Sequence, residues 1–243
     1  MSRVGVALVT GADNPRGIGR ACVLALAADG FEVACSVLPH GAGPQEAALV
    51  VPADLAEPDA PTRLLDAVAD ALGPVTVLVN NAAVSERDGF ERLDAAMLDR
   101  HYAVNVRATA LLSCELARRH RWRGAGGRDP IPGRIVSLTS GQFLGPMTGE
   151  LAYTATKGAI EAFTRQLAGE VAQLGITVNA VNPGPTDTGW IDDALWAELL
   201  PRFPAGRVGE PADAARLVAW LCSPGAAWVS GQVIHSEGGF RRG

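Results

Sequence analysis

The chain is predicted to fold as a doubly wound α/β domain with a seven-stranded parallel sheet, and three observations predict this fold. Short apolar runs alternate with stretches of helical periodicity along the whole chain. Runs such as VTVLVN at 75–80 are apolar on both faces, as expected of strands covered by helices on each side. The length of 243 residues, with a hydrophobic content of 48%, suits a single domain of this class.

The elements follow one another in βα order. Strands are predicted near 5–10, 31–38, 48–53, 75–80, 134–139, 176–181 and 232–235. Helices are predicted at 19–28, 61–72, 95–118, 152–174 and 212–221, with a short one near 191–200. In such a sheet, ligands bind outside the carboxyl ends of the strands. The segment ARRHRWRGAGGRDPIPGR at 117–134 is rich in Arg, Gly and Pro, and is predicted to be an inserted basic loop.

Charge and cysteine content exclude several classes of partner. A formal net charge of -5 gives no electrostatic reason to expect nucleic acid or an anionic membrane as a partner. The apolar run at 4–9 is too short to span a bilayer and lacks the layout of a signal peptide, which predicts a cytoplasmic protein. The cysteines form no C-x-x-C pair, which favours buried free thiols over a metal site or disulfides; they are Cys22, Cys35, Cys114 and Cys222.

The segment LVTGADNPRGIGR at 8–20 places three glycines between the first strand and the first helix. Gly17 and Gly19 open the helix, where a pyrophosphate would meet free backbone N–H groups and the positive end of the helix dipole. Five residues separate Gly11 from Gly17, so the usual G-x-G-x-x-G spacing is absent. This loop by itself leaves a nucleotide site and an ordinary glycine-containing turn equally open.

A second cluster of chemically active residues follows the fifth strand. Tyr153 and Lys157, in LAYTATKGAI, lie four apart on a predicted helix and therefore share one face. Ser140 follows the strand in GRIVSLTS, and Asn105, in YAVNVRA, is a short polar residue in the middle of a predicted helix. Lys157 is the single lysine in a chain with twenty arginines. This bias indicates that the position requires a compact ammonium rather than any positive charge.

These motifs, with LVNNAA at 78–83, Asp54-Leu55 after the third strand and NPGPTDT at 182–188, resemble the short-chain dehydrogenase/reductase family. They are most similar to its compact single-domain branch, which includes β-ketoacyl-acyl-carrier-protein reductases. The resemblance covers nearly the whole chain, in the right order. The chain departs from the family pattern by two extra residues in the glycine-rich loop, by Ala83 in place of Gly, by Ser137 where Asn is frequent, and by the longer loop at 117–134.

The resemblance implies reduction of a carbonyl group, with Tyr153 giving a proton to the developing alkoxide. Unperturbed tyrosine has a pKa of about 10, and the nearby ammonium of Lys157 is expected to favour the phenolate. By the resemblance, Lys157 also binds the nicotinamide ribose, Ser140 stabilises the substrate carbonyl, and Asn105 holds a water that links Lys157 to solvent. The sequence alone predicts that Lys157→Arg folds normally but loses at least about a hundredfold in kcat.

The resemblance also implies a set of residues that bind the dinucleotide. Those assigned to the pyrophosphate are Gly11, Gly17, Ile18 and Gly19, those assigned to the adenosine are Asp54, Leu55, Asn81 and Ala82, and those assigned to the nicotinamide are Tyr153, Lys157, Pro183, Gly184, Thr186 and Thr188. No carboxylate ends the second strand in CSVLPHG at 35–41. Arg16 precedes Gly17, where relatives that use NADP often have a basic residue. NADP(H) is therefore favoured, and NAD(H) remains possible.

The substrate is expected to be a small molecule with a carbonyl group in a mainly apolar pocket. The candidate pocket residues are Gln142, Phe143, Met147, Trp190 and Trp196, and the resemblance implies a mobile lid at 188–204. A ketoacyl thioester, free or bound to a carrier protein, a polyketide-like ketone and other hydrophobic ketones all fit. Two alternatives are an NAD-dependent dehydrogenase that oxidises a sugar, polyol or steroid alcohol, and a non-catalytic cofactor-sensing protein. The resemblance implies a homotetramer or a homodimer.

Overall fold

The computed structural model of the chain describes residues 4–120 and 132–242. Its strands are Val6–Val9 (β1), Glu32–Val37 (β2), Leu49–Pro52 (β3), Val75–Asn80 (β4), Gly133–Leu138 (β5), Ile176–Asn182 (β6) and Val233–His235 (β7). They form one parallel sheet in the order β3-β2-β1-β4-β5-β6-β7, so the predicted doubly wound fold is confirmed. The strand order reverses between β1 and β4, the point at which such sheets open a ligand crevice.

Helices cover both faces of this sheet. Those in the described part of the chain are Ile18–Ala28 (α1), Ala60–Leu72 (α2), Ala95–His101 (α3), Thr109–Arg119 (α4), Leu151–Val171 (α5), Asp193–Leu199 (α6) and Pro211–Cys222 (α7). One apolar layer includes Leu64 of α2 and Leu112 of α4, and the other includes Val23 of α1 and Val218 of α7. None of these helices is long and apolar enough to cross a bilayer.

The crossover from β2 to β3, residues 38–48, contains no helix, in agreement with the sequence pattern. Parallel strands are usually joined through a helix, since the chain must return to the same end of the sheet. Because a loop makes this return, the carboxyl end of β2 is bordered by turns. The adenosine side of the predicted site is therefore built by loops rather than by a helix.

The helix predicted at 95–118 is interrupted by a π-helical segment, Tyr102–Ala108, between α3 and α4. The prediction of one continuous α-helix is therefore wrong in its middle. Asn105 lies in the π segment, and its side chain bonds the backbone of Val84, with Oδ1 accepting from the amide nitrogen at 2.7 Å and Nδ2 donating to the carbonyl oxygen at 2.9 Å. Widened turns of this kind occur frequently at functional sites, and hydrophobic periodicity does not reveal them.

At 117–134 the predicted loop is shorter than expected at both ends, whereas at 188–204 the short helix predicted near 191–200 is present. At 117–134, α4 continues to Arg119 and β5 begins at Gly133, while residues 121–131 lie outside the described residues. At 188–204, the chain forms α6 and a 3₁₀ turn, Leu200–Arg202. Phe203 packs with neighbouring apolar side chains in a small cluster separate from the main core. The boundaries of the inserted loop are thus corrected, because the ends of that segment extend a helix and a strand.

Candidate active site

A cavity of about 520 Å³ lies at the carboxyl edge of the sheet, next to the residues that follow β1, β2, β3 and β4. Nine residues that the sequence assigns to the cofactor line it, namely Gly11, Gly17, Ile18, Gly19, Asp54, Leu55, Asn81, Ala82 and Thr188. Sequence reasoning missed other lining residues, including Asp13, Ser36, Leu38 and Arg100. Ser36 and Leu38 were accessible to prediction, since the ends of parallel strands meet at this edge. Arg100 reaches the cavity from a helix distant in sequence.

The glycine-rich turn fits a dinucleotide pyrophosphate by its shape and by the uncapped start of α1. Gly11 has a φ of +69°, and a Cβ on it would lie 2.8 Å from the Cα of Ala82. A Cβ on Gly19 would lie 2.5 Å from Nδ2 of Asn81, which itself donates to the carbonyl oxygens of Thr10 at 2.9 Å and Gly11 at 2.8 Å. Gly17 is the N-cap of α1 and provides no side-chain cap, so the first N–H groups of this helix can receive an anion.

The extra residues of the glycine-rich loop reach across to the loop that follows β6. Nδ2 of Asn14 donates to the carbonyl oxygen of Thr188 at 3.0 Å, and Nη2 of Arg16 lies 2.7 Å from Oδ2 of Asp187. The guanidinium of Arg16 is therefore held by a carboxylate, and Arg16 is not among the residues that line the cavity. The pair is exposed on the arginine side, with 63% of the side chain of Arg16 accessible.

The second strand has no carboxylate at its end, but one approaches it from the glycine-rich loop. A Cβ on Gly41 would lie 2.9 Å from the Cβ of Asp13, which places Asp13 against the turn that follows β2. Burial, with a smaller contribution from the charge of Asp13, raises the pKa of the Cys35 thiol to about 11. The hydroxyl of Ser36 accepts a hydrogen bond from the amide nitrogen of Gly11 at 3.3 Å. The adenosine end of the cavity thus contains a carboxylate that inspection of β2 alone does not reveal.

The predicted nicotinamide loop is held in a tight turn of its own. Gly184 has a φ of +64°, and its amide nitrogen donates to Oδ1 of Asn182 at 2.9 Å. The hydroxyl of Thr186 donates to the carbonyl oxygen of Pro183 at 3.2 Å. Thr188 lies in the lining of the cavity, whereas Pro183, Gly184 and Thr186 do not.

Ser140, Tyr153 and Lys157 lie where β5 and α5 meet. Nζ of Lys157 donates to the carbonyl oxygen of Leu138 at 2.7 Å and lies 5.4 Å from the centre of the Tyr153 ring. The hydroxyl of Ser140 lies 3.2 Å from Sδ of Met147. Lys157 is buried, with 4% of its surface accessible, although the sequence pattern alone places it on an ordinary helix face. The structure thus brings the three side chains to the carboxyl end of β5.

Burial dominates the protonation equilibria of this cluster. It raises the pKa of the Tyr153 phenol above its ordinary value, the charge of Glu150 adds to the rise, and a hydrogen bond with Ser140 opposes it. Burial also lowers the pKa of the Lys157 ammonium to about 8. Burial and the charge of Glu150 therefore set the direction of the Tyr153 pKa, which is opposite to the fall that the sequence led us to expect from Lys157.

Asn105 lies close to α5, the helix that carries Tyr153 and Lys157, and its side chain bonds to Val84 and Thr156 rather than to Lys157. Besides its two bonds to Val84, its Nδ2 donates to the hydroxyl of Thr156 at 2.9 Å. Thr156 in turn donates to the carbonyl oxygen of Tyr153 at 2.7 Å. The side chain of Asn105 therefore ties the π segment both to the cavity wall and to the first turns of α5.

The five candidate pocket residues differ in where their side chains lie. Nε2 of Gln142 donates to Oε1 of Glu161 at 2.7 Å, so this side chain is directed into the protein. Met147 contacts Ser140, as described above, and the indole nitrogen of Trp190 donates to the carbonyl oxygen of Thr186 at 2.8 Å. Phe143 and Trp196 are exposed apolar side chains. Sequence reasoning missed Glu161, whose buried carboxylate is visible only once β5 and α5 are packed together.

The fold, the glycine-rich turn at the switch point and the Ser-Tyr-Lys cluster define a dinucleotide-dependent oxidoreductase. A family model described as Enoyl-(Acyl carrier protein) reductase matches residues 11–241. The chain is also similar to a solved short-chain dehydrogenase/reductase mutant from Serratia marcescens, with 32% identity, a TM-score of 0.80 and coverage of 98% of both chains. The chain belongs to the short-chain dehydrogenase/reductase family and is an NAD(P)-dependent oxidoreductase of that family.

Several curated relatives match nearly the whole chain. An uncharacterized oxidoreductase of Bacillus subtilis, YjdA, is 46% identical over 98% of this chain and 97% of its own. An NADPH-dependent aldehyde reductase-like protein of Arabidopsis thaliana is 35% identical over 97% of this chain and 93% of its own. An acetoacetyl-CoA reductase of Shinella zoogloeoides is 35% identical over 98% of both chains. These names include two reductases.

Proposed function

We propose that the protein reduces a ketone to a secondary alcohol at the expense of NADPH. The observation that carries the proposal is the meeting of Ser140, Tyr153 and Lys157 at the carboxyl end of β5. A hydroxyl, a phenol and an ammonium at one strand end offer a donor for a carbonyl oxygen, a proton source and a positive charge. The reductase names of two relatives support the direction of the reaction.

The cofactor is held, in this proposal, along the lined cavity. The N-terminus of α1 and the glycines Gly11, Gly17 and Gly19 receive the pyrophosphate, because these residues carry no side chains and α1 begins without a side-chain cap. Asp54, Leu55, Asn81 and Ala82 take the adenosine. Thr188, which lines the cavity, takes the nicotinamide side together with Pro183, Gly184 and Thr186 of the same loop. When bound, the reduced nicotinamide supplies the hydride.

Tyr153 is the proposed proton donor. Its phenol is protonated at neutral pH and so has a proton to give, while the rise of its pKa by burial opposes donation and the positive charge of Lys157 favours it. The hydroxyl of Ser140 donates to the substrate carbonyl oxygen and stabilises the charge that develops there. Lys157 provides the positive charge next to the phenol and binds the nicotinamide ribose. Because its pKa is about 8, its ammonium is largely charged at pH 7.

Asn105 is proposed to support return of protons to Tyr153 through a bound water next to Lys157. Its placement in a π-helical segment supports a functional role, since such segments recur at sites. Its side chain is already engaged with Val84 and Thr156. The water is therefore assigned to the backbone around Asn105 rather than to its amide group.

The proposed substrate is an apolar ketone such as a 3-ketoacyl thioester, free or carried by an acyl-carrier protein. The proposed pocket residues are Phe143, Met147, Trp190 and Trp196, of which Met147 contacts Ser140. The segment 188–204 is proposed as the lid over this substrate. The name of the acetoacetyl-CoA reductase relative supports a short ketoacyl thioester.

A preference for NADPH is supported by the absence of a carboxylate at the end of β2 and by the name of the NADPH-dependent relative. The second candidate is an NAD-linked dehydrogenase for an alcohol, and Asp13 favours it. A carboxylate at the adenosine end accepts hydrogen bonds from a ribose hydroxyl and repels a 2′-phosphate. Arg16 counters this only after it leaves Asp187.

The test follows the absorbance of NADPH and of NADH, separately, against a panel of ketones, acyl thioesters and, in reverse, alcohols. NADPH oxidation with a ketone is the expected result, and Tyr153→Phe is expected to lower kcat at least about a hundredfold while NADPH binding stays within a few-fold. Turnover only with NAD⁺ and an alcohol establishes the second candidate. Tight NADPH binding without turnover of any substrate indicates a cofactor-sensing protein and overturns the proposal.

A homotetramer in the cytoplasm completes the proposal. Tyr102 and Leu111 expose apolar surface on the π segment and on α4, which supports burial of this face in an assembly. The four cysteines are free thiols, which suits a reducing compartment.

A further inference from the structure

The catalytic helix α5 begins without a cap of its own. Glu150, at the N-cap position, makes no side-chain cap hydrogen bond, and the first turn contains no acidic residue. The first N–H groups of any helix have no partner within the helix and need one from outside. Tyr153 is the third residue of α5 and lies within this turn. The position of its phenol therefore depends on what holds the start of the helix.

The missing cap is supplied by Asp88, from the segment that follows β4. Its Oδ1 accepts from the amide nitrogen of Leu151 at 2.7 Å, and its Oδ2 accepts from that of Ala152 at 2.7 Å. The backbone nitrogen of Asp88 donates to the carbonyl oxygen of Gly149 at 2.8 Å. Asp88 is 5% exposed. A buried carboxylate that accepts from two helix N–H groups satisfies those donors. Its negative charge also interacts favourably with the positive end of the helix dipole.

The segment that carries Asp88 is itself fixed at alternate residues. Both the amide nitrogen and the carbonyl oxygen of Val84 are hydrogen-bonded to the side chain of Asn105. The amide nitrogen of Glu86 donates to Nε2 of His101 at 3.1 Å, and His101 is fully buried. Since Val84 lines the cofactor cavity and Asp88 bonds to α5, this short segment connects the cavity wall to the catalytic helix.

We propose that Asp88 is a positioning residue that caps α5 across the fold and fixes the phenol of Tyr153 relative to the cofactor cavity. The inference rests on the proposed function, in which Tyr153 is the proton donor. Proton transfer needs the donor within hydrogen-bond reach of the carbonyl oxygen, and a misplacement of about 1 Å costs on the order of a hundredfold in rate. The carboxylate touches neither substrate nor cofactor in this proposal and acts only through the helix.

The test compares Asp88→Ala and Asp88→Asn with Asp94→Ala. Asp94 is the matched control because it caps α3 by accepting from the amide nitrogen of Met97 at 2.8 Å. Asp88→Ala is expected to lower kcat about 10- to 100-fold with the Kd of NADPH within about twofold, and Asp88→Asn, which keeps one acceptor oxygen, is expected to lie between. Asp94→Ala is expected to lower the Tm by a few degrees and to keep the kcat of the parent protein. If both Asp88 variants keep the parent kcat, the proposal is wrong.

A second measurement does not depend on turnover. The chain contains two tyrosines, so protein labelled with 3-fluorotyrosine gives two ¹⁹F resonances, and Tyr102→Phe assigns them. The resonance of Tyr153 is expected to move in both Asp88 variants and to stay in place in Asp94→Ala. An unmoved resonance overturns the proposal even where kcat falls. If the parent protein reduces no ketone, the proposed function fails, and the resonance still decides whether Asp88 positions the phenol.

Discussion

Replacement of Lys157 by methionine is expected to stabilise the protein at pH 7 while abolishing its activity. Lys157 is buried, and its pKa falls from 10.5 to about 8 because burial disfavours the ammonium. The difference between these two pKa values corresponds to about 3 kcal/mol. The charged ammonium destabilises the folded state by this amount at pH 7. Methionine removes this cost and also the hydrogen bond to Leu138, which contributes about 1–2 kcal/mol.

The net gain at pH 7 is therefore about 1–2 kcal/mol, which is equivalent to roughly 2–8 °C in Tm for a chain of this size. The stability difference between Lys157→Met and the parent protein depends on pH. Between the folded pKa of about 8 and the unfolded pKa of 10.5, the unfolded parent binds a proton that the folded parent does not, so the stability of the parent rises with pH. Lys157→Met lacks this rise, and its advantage is expected to disappear by about pH 10.

The assay is urea unfolding of parent and variant at equal protein concentration, at pH 7, 8, 9 and 10, without cofactor. Thiols whose pKa values burial raises, such as Cys22, change the stability of both proteins alike and cancel in the difference. A difference that does not change with pH refutes the buried-charge argument. The structure also corrects the prediction for Lys157→Arg. The buried site offers the carbonyl oxygen of Leu138 as an acceptor, whereas a guanidinium has five N–H donors. The arginine is therefore expected to bury donors without partners and to lower stability as well as kcat.

Two further expectations concern the cofactor and the assembly. Arg16→Ala is expected to weaken NADPH binding about fivefold, the low end for a phosphate contact because Arg16 must first leave Asp187, with NADH binding and stability little changed; fluorescence titration with both cofactors measures this, and equal losses remove Arg16 from that role. Sedimentation at micromolar concentration is expected to show a homotetramer that Tyr102→Glu or Leu111→Glu dissociates, whereas a monomeric parent contradicts the assembly.

The sequence by itself determined the class of fold and predicted the candidate cluster of Ser140, Tyr153 and Lys157. Strands such as β1 and β4 are apolar on both faces, and this local pattern survives in the structure as complete or nearly complete burial. The four-residue spacing of Tyr153 and Lys157 is likewise local, since one turn of helix fixes which residues share a face. The glycines of the predicted cofactor turn could be identified for the same reason, because they are neighbours in sequence.

Tertiary structure alone decided the electrostatics and the supports of this cluster. Asp88 caps α5 from 63 positions away, and Arg16 pairs with Asp187 across 171 positions, separations over which periodicity carries no information. The direction of the Tyr153 pKa, opposite to expectation, depends on how much solvent the packed helices leave around the phenol. Desolvation is a property of all the atoms around a group, so it becomes defined only when the chain has folded.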